Sequence, residues 1–70
     1  MRPRRTELIH EGRYAAVVEI ELEYDEESWS PTMSLDDARK LERVRMGLRR
    51  GDVAAAAWEA RVFELMPVLV

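Results

Sequence analysis

Cysteine is absent from this 70-residue chain, and His10 is its single histidine. These two shortages exclude disulfide staples, and they exclude a thiolate or multi-histidine metal centre. No apolar run approaches the ~20 residues that a bilayer-spanning helix needs. The basic start, Met1-Arg2-Pro3-Arg4-Arg5, is not followed by an apolar core, so it does not read as a secretion signal. With no cysteine, the composition fits a reducing compartment, and a cytoplasmic protein is expected. With three glycines the chain has no glycine-rich phosphate loop, and no nucleophile stands beside an identifiable base. A non-enzymatic protein without a cofactor is therefore expected.

What is present is 47% hydrophobic and 36% charged, a globular balance. The length suits one domain. A chain this short buries only about 60% of the surface that it exposes when unfolded. Domains of this size usually rely on disulfides, a metal or a second chain. With the first two excluded, contact with another protein, or with further copies of itself, is the expected support.

The net charge is −3, and its distribution is segregated. Arg2, Arg4 and Arg5 form a basic tip, expected to be flexible over residues 1–5. Glu19, Glu21, Glu23, Asp25, Glu26 and Glu27 form an acidic block. Arg39, Lys40, Arg43, Arg45, Arg49 and Arg50 form a basic one. Such segregation favours packing of the acidic segment near the basic one, or a partner matched to either.

Tyr14, Ala16, Val18, Ile20, Leu22 and Tyr24 alternate with a second set that is acidic in its later half. Period-2 alternation predicts a strand with an apolar face on the core and an acidic face toward water. A shorter strand over Thr6–Ile9, with a turn at Glu11-Gly12, completes a β-hairpin spanning residues 6–25. Residues 26–33 read as a connection, broken by Ser28, Ser30 and Pro31, with Trp29 and Met33 as apolar anchors.

Ser34 reads as a helix N-cap, with Asp37 completing a capping-box-like pair. Leu35, Ala38, Leu41, Val44 and Leu48 form an apolar stripe. Gly51 fits the position after the helix, and Asp52 can cap a second one. Arg50-Gly51-Asp52 spells an integrin-type tripeptide, but each residue already has a task at a helix terminus. Residues 34–60 thus predict a helical hairpin whose Ala54–Ala57 run permits close approach. Residues 61–70 suit either more helix or a third strand. We take helix to about Ala60 and a strand afterwards, leaving ββαα and ββααβ as the expected α+β architectures. The apolar side of the hairpin is expected to pack on Leu41, Val44, Leu48 and the alanine run.

Glu19, Glu21 and Glu23 project from one strand face, about 7 Å apart. A straight row lacks the convergence of a calcium site and reads as a solvated or partner-facing surface. Arg45 falls inside the apolar stripe, so its head must snorkel, pair with a carboxylate or reach a partner. Trp58 and Trp29 are candidate interface anchors. These six residues, Glu19, Glu21, Glu23, Trp29, Arg45 and Trp58, are the expected partner-binding set. A structural homo-oligomer and a small DNA-binding transcriptional regulator are the alternative readings; nucleic acid is not the favoured partner, because the second helix offers alanines where a reader helix presents polar side chains.

The turn at Gly12-Arg13-Tyr14, the acidic strand, the Trp29-Ser30-Pro31 loop and the Ser34-Leu35-Asp36-Asp37-Ala38 helix start are similar to small antitoxins of bacterial toxin–antitoxin pairs. In particular they resemble the partial ribonuclease-H-like fold of HicB-type antitoxins, over residues 7 to 50. That fold has a third strand where this chain has a short loop. The resemblance implies a basic toxin, often an RNA-cleaving enzyme, as the partner.

Overall fold

The computed structural model of the chain describes residues 4–23 and 32–69. Expectations placed on Arg2, Tyr24, the carboxylates of residues 25–27, and Trp29 lie outside the described residues. The element order is β1 (Arg4–Glu11), β2 (Tyr14–Glu23), β3 (Thr32–Met33), α1 (Leu35–Arg49), α2 (Val53–Ala57) and β4 (Arg61–Glu64). This is the α+β architecture with a terminal strand.

β1 and β2 form the antiparallel hairpin, in a register that places Glu11 opposite Tyr14 and Arg4 opposite Glu21. Two residues turn the chain. Gly12 takes φ 59° and Arg13 stays at negative φ, the pattern of a type II′ turn. β1 starts two residues ahead of the expected Thr6. Arg4 and Arg5 therefore belong to the strand, with an Arg5–Glu7 ion pair beside them. β2 is the central strand. β1 occupies one edge. β4 pairs with Tyr14–Val17 and β3 with Leu22–Glu23 on the other. The two-residue β3 lies in the stretch expected to be only a connection.

Both helices cover the same sheet face. Ile9, Ala16, Val18, Ile20 and Leu22 from the sheet meet Val44, Leu48 and Ala56 from the helices. Val18, Ile20 and Val44 are the largest fully buried side chains. Each is worth about 1.5–3 kcal/mol relative to leaving it in water. No aromatic ring is among the buried residues described. The core is one thin layer of aliphatic side chains.

The expected stripe on α1 is correct only in its later half. Val44 and Leu48 are buried, while Leu35 is 65% exposed and Ala38 faces solvent. The reason is Asp37. Ser34 Oγ accepts from the Asp37 amide at 3.1 Å, as an N-cap should. The Asp37 carboxylate does not return to the cap, as a full capping box would. Its Oδ2 accepts from the Glu21 amide at 2.8 Å. One turn on, Lys40 Nζ donates to the Glu19 carbonyl at 3.0 Å. On this edge of β2, Val18–Glu21 have neither β3 nor β4 as a partner. Two polar side chains of the helix stand in for the missing strand. They turn the first helical turn so that Asp37, not Ala38, points to the sheet.

α2 ends at Ala57, short of the expected Ala60, because residues 58–60 are needed to turn the chain into β4. It crosses α1 where both chains are small. A Cβ placed on Gly47 would lie 3.6 Å from the Cβ of Ala56 and 3.4 Å from the Asp52 carbonyl oxygen.

Two stability measurements test this account. In urea denaturation, Asp37→Ala should cost about 1–3 kcal/mol and Ser34→Ala about 1 kcal/mol. Asp37→Asn keeps an acceptor oxygen and should retain most of the difference. Ala56→Leu should cost about 1–3 kcal/mol by overpacking the crossing, whereas the same change at exposed Ala57 should be close to neutral.

Candidate protein-binding face

The sheet face turned away from the helices is uncovered. Strand register orders it into rows. His10, Ala15 and Phe63 form one row, and Leu8, Val17 and Arg61 the next. Thr6 with Glu19, and Arg4 with Glu21, follow. Half of the face is therefore apolar and half charged. Leu8 is 69% exposed and Phe63 46%. Ala15 is buried although it lies on this face, beside its row neighbours His10 and Phe63. The Arg61 guanidinium sits 5.6 Å from the Phe63 ring centre and extends the apolar patch with a cation–π contact.

Glu19, Glu21 and Glu23 share this face, as the alternation requires. Glu19 lies 3.8 Å from Arg4, and both side chains are well exposed. Such a pair contributes little to stability. Among the described residues, no group of three or more His, Asp or Glu side chains converges to hold a metal ion.

The expected approach of the acidic segment to the basic helix occurs at the backbone of β2, where Asp37 accepts from the Glu21 amide and Lys40 donates to the Glu19 carbonyl. The basic helix finds its carboxylates elsewhere. Arg45 Nε lies 3.6 Å, and Arg49 Nε 3.1 Å, from the same Glu11 oxygen. Glu11 ends β1 on the helix-covered side of the sheet. Arg45 thus has the carboxylate that its place in the stripe demands, and it is engaged within the chain. Arg43 makes a two-pronged contact with Glu59, at 3.0 and 2.6 Å. Arg39, Arg43 and Arg50 surround Met46 in an open groove of about 580 Å³ between the helices.

Trp58 caps α2 and is 88% exposed. Beyond β4, Leu65, Met66, Val68 and Leu69 are exposed as well, at 45, 76, 85 and 96%. Sequence reasoning singled out Trp58 but passed over Leu8, Phe63 and Leu65. For Leu8 a signal existed: it shares its strand phase with Thr6 and His10, opposite to core-facing Ile9. His10 lies on the surface with Nε2 2.8 Å from the Gly12 carbonyl oxygen, tying it to the turn.

Comparison with protein-family profiles, with curated proteins and with solved structures finds no match to this chain. Among the described residues no helix is long and apolar enough to cross a membrane.

The Arg43–Glu59 contact sets a pH dependence. Hydrogen bonds from Arg43 hold the Glu59 carboxyl below its ordinary value of 4.5, against an opposing effect of desolvation, and the Arg43 charge adds to the lowering. A depressed folded-state value means that the unfolded chain binds the proton more readily. The contact therefore stabilises the fold above the ordinary carboxylate value and is lost as pH falls through the lower, folded-state value. Thermal melting followed from about pH 6 to about pH 3 should show Glu59→Gln to be less pH-sensitive than the parent.

Proposed function

We propose that this chain is a non-catalytic protein-binding module, antitoxin-like in its logic, which neutralises or positions a basic protein by occupying its surface. The observation that carries the reading is the open sheet face. Leu8 and Phe63 stand exposed in an apolar patch, and the carboxylates of Glu19 and Glu23 lie on the same surface. An apolar centre supplies affinity when water is displaced from it. An adjoining acidic border speeds encounter with a cationic surface and disfavours acidic competitors. The face is also rigid, since β2 is held by β1 on one edge and by β3, β4, Asp37 and Lys40 on the other.

The partner is thus a protein with an apolar hollow inside a Lys- and Arg-rich rim. The resemblance of residues 7 to 50 to HicB-type antitoxins supplies a candidate of this chemistry, a small basic ribonuclease-like toxin encoded beside this chain.

Co-expression with the basic product of the adjacent gene tests the reading. The parent should co-purify with that product and relieve its growth arrest. Leu8→Asp should weaken the complex at least about tenfold while circular dichroism stays unchanged, because a buried apolar contact is replaced by an unpaired charge. Glu23→Lys should mainly slow association and reduce its salt dependence. If neighbouring products neither co-purify nor are neutralised, or if complexes form equally well with Leu8→Asp, the assignment fails.

A further inference from the structure

Strand β4 leaves one edge open. It pairs with β2 through Tyr14–Val17, and the ladder continues where the Leu65 amide donates to the Arg13 carbonyl at 2.6 Å. That bond fixes the direction of the alternating backbone groups. Amides and carbonyls of Phe63 and Leu65 turn toward β2, while those of Val62 and Glu64 turn outward, where no strand among the described residues pairs with them. The edge is short and carries Arg61 and Glu64, but it lacks the other common guards. It carries no lysine and no internal proline, and Pro67 stands beyond it. Exposed Phe63 and Leu65 lie along it, followed by Met66, Val68 and Leu69.

We infer that this edge pairs with the same edge of a second copy, antiparallel, about a two-fold axis at Phe63. The register follows by elimination. In a two-fold antiparallel pair, facing residues share a sheet side, so the axis passes through a residue. An axis at Arg61 opposes two guanidinium groups, and one at Glu64 opposes two carboxylates. An axis at Val62 drives Leu65 onto Glu59, which Arg43 already holds at the end of α2. An axis at Leu65 sets β4 against residues 66–69, which lie outside any strand, and the axis at Phe63 avoids all four conflicts. Val62 and Glu64 of each copy then exchange hydrogen bonds with Glu64 and Val62 of the other. The two Phe63 rings meet at the centre, flanked by the Arg61 guanidinium groups that already lie over them.

The dimer joins two three-strand layers into one continuous sheet and places two open faces side by side. The contact involves far fewer residues than the 20–30 a side of a standard interface, so a weak, reversible dimer is expected. This inference does not depend on the proposed partner, and its tests use different residues.

Because the chain has no cysteine, single substitutions report the register directly. Phe63 and its symmetry mate form a non-hydrogen-bonded pair, with Cα atoms about 4.5 Å apart and within disulfide reach. Phe63→Cys should yield a covalent dimer under mild oxidation. Leu65→Cys should not, since its mate lies four residues away along the strand. Sedimentation of the parent from about 1 to about 500 µM should show reversible dimerisation. Glu64→Pro removes an outward amide, which an edge strand tolerates, together with an exposed Arg13–Glu64 ion pair that contributes little to stability, and should leave a folded monomer with unchanged circular dichroism. Sedimentation as a monomer throughout, or cross-linking no faster for Phe63→Cys than for Leu65→Cys, overturns the inference. Should Glu64→Pro unfold the chain, the comparison of the two cysteine variants decides it.

Discussion

Strand β2 serves three other strands, and between Val18 and Glu21 it runs out of them on one edge. An unpaired amide and carbonyl at the rim of a core are costly, since each loses water without gaining a partner. Asp37 and Lys40 solve this with one turn of α1, accepting from the Glu21 amide and donating to the Glu19 carbonyl. The rest follows from that attachment. It fixes the rotation of α1, which selects Val44 and Leu48 for the core and leaves Leu35 outside. It also fixes the depth at which α1 lies on the sheet, and so where Gly47 can receive Ala56 from the second helix. The far end of α1 is held by Arg45 and Arg49 on Glu11. One helix is thus tied to the sheet by polar contacts at both ends and by aliphatic packing between them.

This arrangement explains which parts of the structure were legible in the amino-acid order. Period-2 alternation over β2 is a purely local signal, and it named the buried side correctly at Ala16, Val18, Ile20 and Leu22. The caps at Ser34 and Asp52 are local too, and both side chains accept the expected amide, from Asp37 and from Ala55. The errors lie where a distant residue decides. The stripe on α1 was drawn through Ala38 because an aspartate does not look like a core-facing residue. Asp37 faces the sheet because it accepts from the Glu21 amide of β2 there. Likewise β3 is two residues long and exists through its pairing with Leu22 and Glu23. Propensity over two residues carries no such information.

The candidate face was partly visible in the same way. Alternation alone placed Glu19, Glu21 and Glu23 together on the outer side. Arg45 was recognised as a charge in an apolar stripe, but which carboxylate it meets depends on where the hairpin turn falls relative to α1, and the answer is Glu11. Phe63 joins the outer face only once β4 is set against Ala15, a contact nearly fifty residues away along the chain. Its significance therefore rests on topology that local pattern cannot supply.

A thin aliphatic core has a consequence for function. One helix layer on one sheet can shelter a single side of that sheet, and the molecule spans 48 × 29 × 18 Å with a radius of gyration of 14.3 Å, against about 11 Å for a compact chain of this length. The surface left over is unusually large for the volume enclosed. Evolutionary tolerance of single exposed leucines is common, so Leu8 alone would mean little. Here the exposed side chains are grouped: Leu8 and Phe63 on the sheet, Trp58 at the end of α2, and Leu65 to Leu69 after β4. Grouping is what separates a binding surface from scatter, because water must be displaced from a contiguous area before burial gives appreciable affinity. Two distinct surfaces result. The sheet face carries carboxylates beside its apolar rows, and the outer edge of β4 carries backbone groups that no described strand pairs. They adjoin at Arg61 and Phe63, while Leu8 and Glu19 stand clear of the β4 edge.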